Sequence, residues 1–150
     1  MRIEDEIKQV NFKNDQQKLY INMLFTANLL EYQSRIFFEK YELTPQQYNV
    51  LRILRGKNPE AVTVNYIRER MIDKSCDTSR IVERLRVKKL LERKANKTDR
   101  RAVDITISSK GLGLLYSIDS EIEKLEFKYF NKLNKEEMDQ LNNLLDKLRG

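Results

Sequence analysis

The sequence predicts a mainly α fold carrying one small β-hairpin, and three observations predict it. Breakers are scarce, with four Gly and two Pro in 150 residues, and apolar residues recur at three-four spacing along most of the chain. From Ala102 to Ser108 the period changes: Val103, Ile105 and Ile107 alternate with Asp104, Thr106 and Ser108, as in a half-buried strand. Just before that switch lie two short helical patterns joined by a brief connection, which suggests a helix-turn-helix.

Taken in order, a first long helix is expected from about Asp15 to Tyr41, with Tyr20, Met23, Ala27, Leu30 and Phe37 on one face and Ser34 interrupting it. Thr44-Pro45-Gln46-Gln47 is a start signal: Thr44 can cap, Pro45 loses nothing by lacking an N–H, and Gln47 can close a capping box. That second helix should end near Gly56, before the loop Lys57-Asn58-Pro59-Glu60. Thr63 is the expected cap of a third helix that turns Val64, Ile67 and Met71 inward and leaves Arg68 and Arg70 outside. Ser75 is the expected cap of a fourth, with Thr78, Ile81, Val82 and Leu85 as its apolar face and only Ile72 to Ser75 as the connection. Leu91 to Ala95 can pair with Ala102 to Ser108 across a turn from Asn96 to Arg101, and a helix-turn-helix followed by a hairpin is a winged helix.

Helical spacing then resumes. Leu115, Ile118, Ile122, Leu125 and Tyr129 form one seam, Met138, Leu141, Leu145 and Leu148 another, with an Asn134–Glu137 capping box between them. Heptad-like seams on helices too long for one small lobe predict dimerisation; the plainer alternative packs them on the first helix of the same chain. The expected organisation is a helical dimerisation segment at 1–43, a winged helix-turn-helix at 44–110 and C-terminal dimerisation helices at 111–150.

Charge follows the same division. The chain carries +6 overall, yet residues 44–110 hold seventeen Lys and Arg against eight Asp and Glu, while both flanks are mildly acidic. A basic block between acidic flanks suggests a polyanion-binding surface; the plainer alternative is a solvated basic face, and the order of residues within the block has to decide between them. The inventory argues against an enzyme: there is no histidine, one cysteine, no Gly-rich phosphate loop and no metal-ligand cluster, so no catalytic residue, metal or cofactor is expected. A lone cysteine excludes an internal disulfide framework, and no apolar run approaches the ~18 residues that span a bilayer. The expectation is a cytoplasmic protein without a membrane partner.

With the fourth helix's apolar face inward, Ser75, Cys76, Asp77, Ser79, Arg80, Glu83 and Arg84 face out, and the N-terminal part of such a helix reads base edges in the major groove of double-stranded DNA. Arg80 and Arg84 lie one turn apart and suit guanine or phosphate; the alternative for each is a surface pair with Glu83 or Asp77. At the hairpin, Lys94, Lys97, Arg100 and Arg101 surround Asp99. An arginine there can enter a minor groove, and Asp99 would orient its neighbour through a bidentate pair. Cys76, expected in the first turn near Lys74 and Arg80, would have its thiolate favoured, which makes a redox switch chemically available; the plainer reading is a small residue at the DNA surface. Tyr32, Phe37, Phe38, Tyr41, Tyr48 and Tyr116 could line an aromatic pocket between lobes, although aromatics at helical spacing are more often core.

The run from Thr44 to Lys110 resembles the MarR family of bacterial transcription regulators. The resemblance is carried by Ser79-Arg80-Ile81-Val82-Glu83-Arg84-Leu85, Leu91-Glu92-Arg93, Asp99-Arg100-Arg101-Ala102-Val103 and Thr106-Ile107-Ser108-Ser109-Lys110-Gly111. It implies a homodimer with two winged helices on a pseudo-palindromic operator, acting as a repressor and released by a small, often aromatic, effector between the dimer helices and the DNA-binding lobe. It also makes Asp99 and Arg101 the wing's acid-arginine pair and Arg84 the recognition-helix arginine. Lys89 departs from the pattern, since many members have glycine at the end of that helix. The competing function is a winged-helix module that binds protein, or nucleic acid without sequence choice.

Overall fold

Residues 1–96 and 103–150 are described in the structure, a computed structural model. Their elements run α1 (Ile3–Ile7), α2 (Asp15–Glu39), α3 (Pro45–Arg55), α4 (Val64–Arg70), α5 (Thr78–Val87), β1 (Leu91–Ala95), β2 (Val103–Ile107), α6 (Ser109–Phe130) and α7 (Lys135–Arg149). The mainly α architecture with a two-stranded wing is therefore present.

The expected caps at α3 and α4 form. Thr44 Oγ1 accepts from the Gln47 N–H at 3.1 Å while the Gln47 side chain accepts from the Thr44 N–H at 3.0 Å, and Thr63 accepts from Tyr66 at 3.2 Å. At α5 the expectation needs correction. Asp77, not Ser75, is the N-cap and accepts from the Arg80 N–H at 3.0 Å. Ser75 is consumed one step earlier, its hydroxyl (2.7 Å) and N–H (2.9 Å) both bound to Asp73 Oδ1, a side-chain turn that delays the helix by two residues. The connection between α4 and α5 accordingly spans 71–77 rather than the shorter stretch expected.

One core forms where α3, α4, α5, the hairpin and the first turns of α6 meet. Val50, Leu51, Leu54, Ile67, Met71, Val82, Leu85 and Ile105 are all at or below 2% exposure, and burial at this level stabilises by about 1.5–3 kcal/mol per side chain. The strands pair antiparallel from Leu91↔Ile107 to Ala95↔Val103. Val62, before α4, adds a bridge the sequence does not announce, exchanging two 2.9 Å bonds with Ile105. This bridge fixes the wing root to the start of the helix-turn-helix.

The end of α5 and the start of α6 are stitched together. Leu90 N–H reaches the Leu85 carbonyl at 3.0 Å and Lys89 N–H the Arg86 carbonyl at 2.9 Å, closing the helix with Lys89 at φ +60°. Ser108 caps α6 through the Gly111 N–H (3.0 Å), and its own hydroxyl donates to the Lys89 carbonyl (2.8 Å). A β-carbon at Gly111 would stand 2.2 Å from the Leu90 carbonyl oxygen, so only glycine lets these backbones meet.

Two of the seam residues are spent inside the chain. Leu115 and Ile118 are wholly buried in the winged-helix core, which corrects their assignment to dimerisation, and Ile122 and Leu125 lie partly buried against the same core. Arg55 with Asp119 at 2.8 Å adds a polar tie between α3 and α6. The rest of the long helices is bare: α2 buries only Phe37 and Phe38, and α7 buries nothing. The short α1 is not signalled by periodicity; it is held by Ile3, which is buried, and by Glu4 bound to Lys18 at 2.6 Å. Among the described residues, no helix is long and apolar enough to cross a membrane.

Candidate nucleic-acid interface

Helix α5 presents a clean division. Thr78, Val82 and Leu85 are buried while Ser79, Arg80 and Arg84 are exposed, so the two arginines stand one turn apart on the outer face. The acids that could have neutralised them are engaged elsewhere. Asp77 caps the helix, and Glu83 accepts from Arg86 Nε (3.0 and 3.1 Å), Arg86 Nη2 (2.7 Å) and Arg93 Nη1 (3.0 Å). Among the described residues the Arg80 and Arg84 side chains make no ion pair or hydrogen bond, leaving two guanidinium forks free on one helix face.

The Glu83 pairs also join the helix to the wing, because Arg93 belongs to β1. The Arg86 bond is the main cause that holds the Glu83 carboxyl below the usual carboxylate range and raises Arg86 in turn. In the turn before the helix, the Ser75 hydroxyl likewise lowers Asp73, which also accepts from Gln46 Nε2 at 3.4 Å.

The other expected contact residues are less uniform. Ser75 is exposed and bound to Asp73. Cys76 is half-buried, its thiol donating to the Asp73 carbonyl at 3.0 Å, and it packs against the core instead of facing outward from the first turn of α5. Lys94 extends from β1 and pairs with Glu92 at 3.0 Å. Lys97, Asp99, Arg100 and Arg101 lie outside the described residues, so the expected acid-arginine pair at the wing tip has no geometry here.

A groove of about 1020 Å³ runs between the C-terminal half of α2, the turn into α3 and the outer flank of α5. Of the six aromatic residues expected at a ligand pocket, only Tyr32 lines it. Phe37 and Tyr48 belong to the core, where Phe38 stacks on Tyr48 at 4.4 Å between ring centres, and Tyr116 is exposed away from the groove. The lining that periodicity does not reveal comes from Arg35 and Ile36 on α2 and from Arg84 and Val87 on α5. These residues meet only because the turn at Glu42, with φ +54°, folds α3 back beside α2.

Comparison with known proteins agrees with this geometry. The sequence profile of the MarR family matches residues 41–102. The chain is similar to the HTH-type transcriptional regulator MhqR of Bacillus subtilis (strain 168), 30% identical over 113 residues that cover 73% of this chain and 74% of that protein. It shares its fold with S. aureus MepR in a DNA complex, at TM-score 0.77 and 21% identity over 92% of this chain and 97% of the other. The fold also matches Bordetella bronchiseptica BpsR, whose DNA binding is regulated by 6-hydroxynicotinic acid, at TM-score 0.67 and 23% identity over 86% of this chain and 99% of that one. With a helix-turn-helix, a wing root and a long-range sequence match in agreement, the chain belongs to the MarR family and is a transcription regulator with a DNA-binding winged helix.

Proposed function

We propose that two copies of this chain bind a pseudo-palindromic operator, with α5 of each in a major groove and the wing in the flanking minor groove, and that binding represses the adjacent gene in the cytoplasm. The observation that carries this reading is the free pair Arg80 and Arg84 on the outer face of α5. Phosphate contacts alone would need only positive charge, whereas unpaired forks one turn apart suit bidentate contacts to base edges. The outward residues Ser79 and Lys94 and the wing residues Lys97, Asp99, Arg100 and Arg101 complete the proposed contact set.

The homodimer rests on apolar surface left without a cover. Leu19, Tyr20, Leu24 and Leu29 on α2, Phe127 and Phe130 on α6, and Met138, Leu141, Leu144 and Leu148 on α7 are all exposed in the single chain. Apolar faces this extensive mark an interface. Tyr129 and Leu145 lie half-buried beside them and belong to the same proposed contact. The effector would be a small aromatic molecule in the groove beside α5, where Tyr32, Ile36 and Val87 offer apolar contact and Arg84 is shared with the DNA face.

The test compares a duplex footprinted upstream of the chain's own gene with a scrambled duplex of the same length. R84A should weaken operator binding by about 1–3 kcal/mol, roughly fivefold to a hundredfold, with a smaller loss on the scrambled duplex. Equal losses on both would favour binding without sequence choice and overturn the reading.

A further inference from the structure

We infer that Glu83 limits sequence-independent DNA affinity by withholding Arg86 and Arg93 from the phosphate backbone; this rests on the proposed DNA-binding reading of α5. An acid one residue from Arg84, on the most basic part of the chain, should repel phosphate unless it has an internal task. Its task is visible in the bonds: both carboxylate oxygens are used, with Arg86 held through two nitrogens and Arg93 reached across from the wing.

The fold gains little from these pairs. The Arg86, Glu83 and Arg93 side chains remain 49%, 44% and 34% exposed, and pairs at such exposure contribute little to stability. What they change is the supply of cations. Arg86 and Arg93, with Lys89 and Lys94, line a cleft of about 420 Å³ between the end of α5 and β1. With α5 and the wing docked on DNA as proposed, this cationic cleft would face the phosphate backbone between them. If free, both guanidiniums would add contacts that strengthen binding to any sequence. Tied to Glu83, they leave Arg80 and Arg84 as the available forks of the helix, so the phosphate contribution, which is common to operator and random DNA, is smaller than the charge of this surface allows.

The test measures affinity for the operator and for scrambled duplex across salt from 50 to 200 mM, using full-length wild type, E83Q and E83Q/R86Q/R93Q. E83Q should bind both duplexes on the order of tenfold more tightly at low salt and steepen the salt slope by about 0.9 per arginine released, leaving the operator preference unchanged. The triple variant has no arginine to release and should keep the wild-type slope. An E83Q protein with unchanged slope, one weakened on either duplex, or one strengthened on only one of them would overturn the inference. So would a triple variant whose slope is shallower than wild type by about 0.9 or more, because the arginines would then already grip phosphate; this arm stands even if E83Q alone fails to fold. Failure of the wild type to prefer the operator would instead strike the DNA reading itself.

Discussion

Lys89 holds φ at +60°, a left-handed conformation that crowds a β-carbon against its own carbonyl at a cost of roughly 1–2 kcal/mol. The two bonds that close α5 require it, because they need the chain to reverse at that residue. Glycine would relieve the crowding but would also free the unfolded chain, so K89G should stabilise by a net ~0.5–1 kcal/mol in urea or thermal unfolding. A loss of stability would mean that the lysine side chain matters more than the backbone strain. This residue was legible in the sequence as a departure from the MarR pattern, although its geometry was not. Asp77 and Ser75 show the complementary limit: both can cap, they lie two residues apart, and only the turn made by Asp73 decides between them.

At the scale of elements, two joints carry testable consequences. Gly111 lets α6 touch the chain leaving α5, and G111A should cost about 2 kcal/mol or more, because the Leu90 carbonyl is backbone that cannot yield as a side chain would. Unchanged denaturant stability would show that the joint is looser than described. At the other end, the Lys18 bond chiefly, with help from the backbone, pulls the Glu4 carboxyl from 4.5 down to about 2. Its folded pKa lies below its unfolded value, so the contribution of this pair is complete above pH 4.5 and is lost as pH falls through about 2. An NMR titration of the Glu4 side chain should therefore have its midpoint far below that of an ordinary glutamate, and a midpoint near 4.5 would show α1 undocked from α2. The caps of α3, α4 and α7 and the two strands of the hairpin were readable because caps and period-two alternation are local signals. The Val62 bridge was not, since a single residue pairing with a distant strand leaves no pattern.

For the whole molecule, spacing alone could not divide the α6 seam between core and surface. Leu115 and Ile118 continue the same three-four rhythm as Tyr129, yet the first two are buried in the winged-helix core and only the later part of the seam stays accessible. The groove was equally hidden, because Tyr32, Ile36, Arg84 and Val87 come together through a turn and not through sequence spacing. The wing-tip expectations at Lys97 to Arg101 lie outside the described residues and remain proposals. The proposed dimer would link the bare faces of α2 and α7 to DNA reading, since a single α5 covers only one half-site. The most direct test is the stoichiometry and footprint of the chain on the DNA upstream of its own gene. Two chains per duplex, protecting two symmetric segments with centres ~34–36 Å apart, are predicted; one chain per duplex, or protection without dyad symmetry, would contradict the account.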